Sequence, residues 1–278
     1  MRRAVLSVAL FFAATSAWAH ERIISAGSGI TELIFALGAE NQLVGVDITS
    51  KAYISHEIPT LGYHRQLSAE NIIALTPDRI VGSKEMGPET TLSLLRQAGI
   101  EVNILNSGEQ IDDLLQRVEQ VGQLTGKSEE AAQLNRKIQK QVKHIESRLA
   151  AQKARKRILF LVIHSGRAPM VGGSQTAADT VIKLAGGENP AAAVVESYKP
   201  LSMEAMVEMQ PEVILLSQHT SESIRGLDGL LEKLPLLAAT PAGQHKALYT
   251  LDGTALIGGL NLKSLEEAER LNKVLYDQ

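Results

Sequence analysis

The segment LSAENIIALTPDRIVGS, residues 67–83, returns as LSMEAMVEMQPEVILLS at residues 201–217. Leu, Ser, Glu, Pro, Ile and Ser recur at a constant offset of 134, and Asp78 aligns with Glu212. A helix-to-strand corner built twice confines the chain to an architecture of two related halves. In each copy a serine, Ser68 or Ser202, stands where its hydroxyl can accept a hydrogen bond from the free N–H groups of a first helical turn. A glutamate, Glu70 or Glu204, follows within that turn, where the helix dipole favours a carboxylate. The helix stops near Pro77 or Pro211 and a strand begins. Tuning a helix start accounts well for one glutamate. It accounts less well for two in matching places, because an acidic first turn is not obligatory.

The rest of the chain alternates in the same way. ERIISAGS, VGVDI, DRIVGS and IEVNIL read as strands in the first half, with ITELIFALGA, SAENIIAL and PETTLSLLRQAG as helices. RKRILFLVIH, PEVILLS and ALYTL follow as strands in the second half, with SQTAADTVIKLAGG, SMEAMVEM and LKSLEEAERLNKVLYD as helices. Such alternation implies mostly parallel sheets with helices on their faces. Gly99, Gly126 and the Gly186–Gly187 pair mark helix ends. Between the halves, residues 127–156 contain neither Gly nor Pro, and Leu134, Ile138, Val142, Ile145 and Leu149 recur at helical steps. This predicts one long amphipathic helix of about 35–40 Å. The expected fold is therefore α/β: two Rossmann-like lobes joined by a single long α-helix, with the ligand in the cleft between them. The expected division is a leader at 1–19, a first lobe at 20–126, the helix at 127–156 and a second lobe at 157–278.

The leader is read from Arg2 and Arg3, the short apolar run Ala4–Ala14 and the small-x-small site Ala17-Trp18-Ala19. It has the form of a cleaved secretory signal peptide. No other segment is apolar for long enough to span a bilayer, so stable membrane insertion is not expected. The chain has no cysteine, which in an exported protein of this size points to a bacterial periplasm and a core that stands without disulfides. Removing Arg2 and Arg3 takes the formal charge from −3 to −5, against the basic surface that nucleic acid requires. The single tryptophan, Trp18, lies in the leader, so a ligand pocket here is no cage of indoles.

The paired corners and the helical connector resemble the substrate-binding proteins of bacterial metal-chelate ABC importers, which serve haem, ferric siderophores and cobalamin. In that family one glutamate from each lobe docks on arginines of the permease dimer, and Glu70 and Glu204 occupy the matching places. A two-lobed protein landing on a two-fold transporter has reason to present one anion per lobe. LGYHRQLSAE, just before the first corner, resembles the segment that carries the tyrosine ligand of the haem-binding branch. Tyr63 is the matching residue. A phenolate is a hard anionic donor suited to ferric iron, and a neighbouring guanidinium favours the charged form. In an extended segment Arg65 would share a face with Tyr63 while His64 pointed elsewhere.

The resemblance also implies a role for HSGRAPMVGGS. His164 ends a strand, where α/β sheets present residues to the ligand crevice. It either completes axial coordination from the second lobe or hydrogen-bonds a propionate or backbone group; the reading adopted is ligation. Met170 would pack on the porphyrin. Arg167, Tyr198 and Lys199 are placed on loops at the rim, as partners for propionates. The implied activity is not enzymatic: the protein captures haem b and delivers it to an inner-membrane ABC permease dimer with its ATPase. A ferric siderophore or cobalamin is the alternative cargo. A free zinc or manganese carrier needs three or four convergent ligands, and no histidine pair has the spacing. No G-x-S-x-G nucleophile elbow is present, and GSGITE at 27–32 only loosely resembles a phosphate loop; its small residues permit a strand-to-helix turn.

Overall fold

The computed structural model describes residues 21–54, 58–151, 154–164 and 166–276. The signal peptide expected at 1–19 lies outside them. In the first lobe, β1 (Ile23–Ala26) leads into α1 (Ser28–Ala36), followed by β2 (Leu43–Val46), α2 (Ala69–Ile73), β3 (Arg79–Ser83), α3 (Glu89–Gln97), β4 (Glu101–Leu105) and α4 (Ile111–Leu124). The four strands form one parallel sheet in the order β2-β1-β3-β4. Neighbouring residues serve opposite faces: Ile23 and Val81 enter one apolar cluster, Ile24 and Ile80 another. A parallel sheet covered on both sides has no solvent face, so its strands read as unbroken apolar runs.

The long helix, α5, runs from Ser128 to Ala151, about 36 Å at 1.5 Å per residue. It does more than connect. Ala131, Ile138 and Val142 are buried in the first lobe's core, and only its far end turns to the second lobe, where Arg148 Nε donates to Asn272 Oδ1 at 3.1 Å.

The second lobe follows as β5 (Ile158–Val162), β6 (Met170–Gly172), α6 (Ala177–Leu184), β7 (Tyr198–Pro200), α7 (Met203–Glu208), β8 (Val213–Ser217), α8 (Gln218–Ser223), α9 (Gly226–Lys233), α10 (Pro241–Gln244), β9 (Leu248–Leu251) and α11 (Leu262–Tyr276). Its sheet is mixed, in the order β7-β6-β5-β8-β9. β5, β8 and β9 are parallel, while β6 and β7 are antiparallel additions at one edge. That edge departs from the sequence reading, which placed Tyr198 and Lys199 on loops. They begin β7, and Met170 begins β6, because a hairpin returns the chain alongside β5 instead of crossing over a helix. Ile158 and Phe160 face one cluster while Leu159 and Leu161 face another, so this sheet too is covered on both sides.

The repeated corner is one unit built twice. Ser68 Oγ accepts from Asn71 N at 3.4 Å and Ser202 Oγ from Ala205 N at 3.2 Å. The residue before each proline adopts a left-handed backbone, Thr76 and Gln210 both at φ 45°. The acid after each proline then accepts a backbone N–H from the strand beside it, Asp78 Oδ2 from Arg22 at 2.8 Å and Glu212 Oε2 from Arg157 at 3.0 Å. Glu70 and Glu204 stay exposed.

The lobes also meet along a direct seam. Leu260 and Leu265, close to the start of α11, are buried in the first lobe's core. The Glu32 carboxylate of α1 accepts Leu262 N at 2.9 Å and Lys263 N at 3.0 Å, capping α11 from the other lobe. The buried Arg117 of α4 donates to the Leu260 carbonyl and to Asn106 Oδ1. Gly259, at φ 89°, passes so near Ser107 and Gly108 that an added Cβ would lie 2.7 Å from their backbone oxygens.

Candidate functional site in the interlobe cleft

The carboxyl ends of β1, β2, β3 and β4 all open on one side of the first sheet, where ligands of open α/β sheets bind. A cleft of about 680 Å³ lies there, walled by Tyr63, His64, Arg65, Lys84, Glu85 and Ser107–Gln110 from the first lobe. Gln175, Ser197, Tyr198 and 256–259 wall it from the second. This is within the ~300–1,000 Å³ usual for small-molecule sites.

Tyr63 is 42% exposed, on the wall of the cleft. It is held there by a turn, closed by Gln66 N donating to the Tyr63 carbonyl at 2.8 Å. The turn corrects the extended reading of the YHR triplet. Arg65 does not share a face with Tyr63 as in a strand; its guanidinium pairs with Glu85. His64 points inward and is 2% exposed. Its ring stands 4.4 Å from that of Tyr63, tilted by 54°. His64 Nδ1 lies 2.9 Å from Asp47 Oδ2, and Nε2 lies 3.7 Å from Glu85 Oε2, a charge contact too long for a hydrogen bond.

Asp47 is the hub beneath this turn. Its carboxylate accepts from Gly27 N at 3.0 Å, from Ser50 Oγ at 2.7 Å and from Thr49 Oγ1 at 2.7 Å, besides His64. Burial alone would raise its pKa, but bonds from His64, Ser50, Thr49 and Gly27 outweigh burial and hold it below the usual carboxylate value. His64 is the mirror case: burial would lower it, and Asp47 and Glu85 together raise it. Glu85 is held low by His64 first and then by Arg65. Gly27, at φ 115°, makes the strand-to-helix turn that brings its N–H onto Asp47, the role expected of the small residues in GSGITE.

In the second lobe Tyr198 reaches the cleft with its ring edge-on to Phe160 at 6.3 Å. Burial, with Glu109 adding, pushes its phenol well above the ordinary value. Lys199, the next residue along β7, alternates to the exposed side. Met170 is half-buried in β6, paired with Val162 and Pro200. His164 and Arg167 are exposed on the hairpin between β5 and β6, with Arg167 N donating to the His164 carbonyl at 3.3 Å. Of the residues singled out from sequence, the cleft thus gathers Tyr63, Arg65 and Tyr198, while His164, Arg167, Met170 and Lys199 stand outside its lining. Sequence reasoning missed Asp47, His64, Lys84, Glu85 and Glu109. Asp47 has a readable signal, an acid at the carboxyl end of the strand VGVDI; His64 has none, since an extended triplet points it away from Tyr63 and only the turn brings it inward.

Residues 23–255 match the family described as periplasmic binding protein. The chain belongs to that family. The periplasmic haem-binding protein HutB of Vibrio cholerae has the same fold with a TM-score of 0.88, at 49% identity over 93% of this chain and 100% of that one. The periplasmic haem-binding protein RhuT of Roseiflexus sp. RS-1 matches at TM-score 0.86 and 34% identity, over 92% of this chain and 98% of its own. Among curated relatives, a vitamin B12-binding protein of Vibrio parahaemolyticus is 24% identical over 226 residues, 79% of each chain. The family and these neighbours are binding proteins. No helix among the described residues is long and apolar enough to cross a membrane.

Proposed function

We propose that this protein captures haem b in the interlobe cleft and delivers it to an inner-membrane ABC permease dimer with its ATPase. The observation that carries the reading is the half-exposed phenol of Tyr63, turned onto the wall of a cleft large enough for a porphyrin. The likeness to HutB at 49% identity supports the same cargo. Tyr63 supplies the axial oxygen to ferric iron. The His64 ring packs against it at 4.4 Å, and Arg65, on the same cleft wall, is paired with Glu85. Tyr198 meets the ligand from the second lobe. His164 is the second axial candidate, with Arg167, Met170 and Lys199 around it; the exposed β5–β6 hairpin that carries it has to approach the cleft on loading. Residues 1–19 act as the export signal to the periplasm, and Glu70 and Glu204 dock on the permease.

Hemin titrated into the apo-protein should give a stoichiometric Soret band. Tyr63→Ala should lose the tyrosinate spectrum and at least about 100-fold in affinity; unchanged hemin uptake by that variant would remove the assignment. His164→Ala should alter the ferric spin state if the histidine binds iron. Reversing Glu70 and Glu204 together should abolish transport while leaving the Soret titration intact. The vitamin B12-binding relatives make cobalamin the second reading; saturation by cyanocobalamin in preference to hemin would establish it.

A further inference from the structure

The cleft is poorly equipped for an anionic cargo. Its lining includes Arg65 and Lys84 as long cations, but Arg65 is already engaged by Glu85, and a second acid, Glu109, stands on the same wall. A porphyrin that brings two carboxylates into this space meets Glu85 and Glu109. Glu85 is held ionised by His64 and Arg65. Glu109 is not. It belongs to the short segment between β4 and α4 where the lobes touch: Thr180 Oγ1 donates to its carbonyl at 2.9 Å, and Leu260 N donates to the carbonyl of Gly108 at 3.1 Å. Those bonds fix the backbone of Glu109 beside the cleft. Its Oε2 is shielded from solvent and has no hydrogen-bond partner. Arg117, the nearest buried cation, directs its guanidinium to Asn106, Gly108 and Leu260 instead.

We propose that Glu109 meets a carboxylate of the incoming haem as a neutral acid, so that the loaded protein carries one proton taken from solvent along with its cargo. The inference rests on the haem reading. A carboxyl whose shielded oxygen has no partner, faced by a second carboxylate, shares a proton with it, because two like charges at close range cannot both persist. The groups around Glu109 support this. Burial pushes its carboxyl up to about 7, Glu85 and Asp113 add to that, and Arg117 and Lys84 oppose it. Tyr198, across the cleft, is itself pushed up in part by Glu109 and stays a neutral phenol. The device is also a filter: a cargo of haem size without a carboxylate gains nothing from the proton.

The sign follows from linkage. Proton binding that is stronger in the complex than in the free protein weakens haem affinity as pH rises above the free value, by about tenfold per pH unit. Calorimetric hemin titrations in buffers of different ionisation enthalpy, between about pH 6 and about pH 9, count the protons. Ligation by a phenol releases a proton of its own, so the measurement is the difference between wild type and Glu109→Gln. The expected result is about one more proton taken up by wild type near pH 8, a flatter affinity profile in the variant, and loss of both differences when hemin dimethyl ester replaces hemin. Equal proton counts with intact Soret bands would overturn the proposal while leaving the haem reading standing. Failure of the unaltered protein to bind hemin at any pH would overturn both.

Discussion

Tyr63 and His64 are neighbours with opposite fates, and the difference lies in one turn. The phenol faces the cleft at 42% exposure, while the imidazole is buried between Asp47 and Glu85. The sequence made Tyr63 legible through its chemistry and the segment around it. It did not make His64 legible, because the partner that pulls the ring inward comes from the end of β2, and nothing local signals a bond to Asp47. The buried pair makes a definite prediction. Removing the ring in His64→Ala leaves a buried carboxylate short of its partner, at a cost of about 3 kcal/mol, whereas Tyr63→Phe, at an exposed site, should change stability by about 0.5 kcal/mol or less. Urea unfolding measures both. The pH dependence follows from the directions of the shifts. Asp47 is lowered, so its contribution is complete above the ordinary carboxylate value and is lost in acid. His64 is raised, so its contribution is complete below about 6.5 and fades as pH rises through the elevated folded value. The gap between wild type and His64→Ala should therefore be wider near pH 6 than near pH 9.

At the scale of elements, the corner shows what a motif conveys and what it hides. The serine caps, the first-turn glutamates and the stop at proline are local chemistry, and each appears twice as read. The left-handed backbone at Thr76 and Gln210 was not readable, since neither residue favours φ 45°. The acids Asp78 and Glu212 compensate by tying each corner to the strand beside it. The strained positions are testable as a pair. Replacing either residue with glycine removes a Cβ penalty of about 1–2 kcal/mol and adds an unfolded-state entropy cost of up to about 1 kcal/mol. Both variants should come out neutral to slightly more stable. Thr76→Gly should gain more than Gln210→Gly, because a β-branched residue tolerates this conformation least. A loss of more than about 1 kcal/mol in thermal or urea unfolding would show that the side chains matter more than the backbone. The antiparallel edge of the second sheet was hidden for another reason. β6 and β7 are three residues each, too short for a period of two to register.

For the whole molecule, the long helix was the legible part, because twenty-four residues of amphipathic pattern need no distant information. The seam was not, since it joins Glu32 to the start of α11, 230 residues further along. Yet the seam changes what the helix means. With α5 packed into the first lobe, and Glu32, Arg117 and Gly259 all fastening the lobes near the floor of the cleft, any closing motion has to pivot there and stay small. Glu32 is also where this junction responds to pH. Burial pushes its carboxyl up to about 7, against the bonds from Leu262, Tyr53 and Lys263 that pull it down. The folded state therefore prefers the protonated form. Below the ordinary carboxylate value of 4.5 the group costs nothing; stability falls as pH rises from there to about 7, where the loss is complete. A shift of that size corresponds to roughly 3 kcal/mol. Glu32→Gln removes the titration but keeps one acceptor oxygen, so its NH2 faces one of the two α11 N–H groups and one cap bond is lost at every pH. The stability of the variant relative to wild type should therefore rise between about pH 4 and about pH 8 by an amount approaching that figure, on top of a constant loss from the missing bond, as urea unfolding measures. Parallel profiles would mean that the bonds donated by α11 offset the burial, and that the charge at Glu32 is what holds the two lobes together.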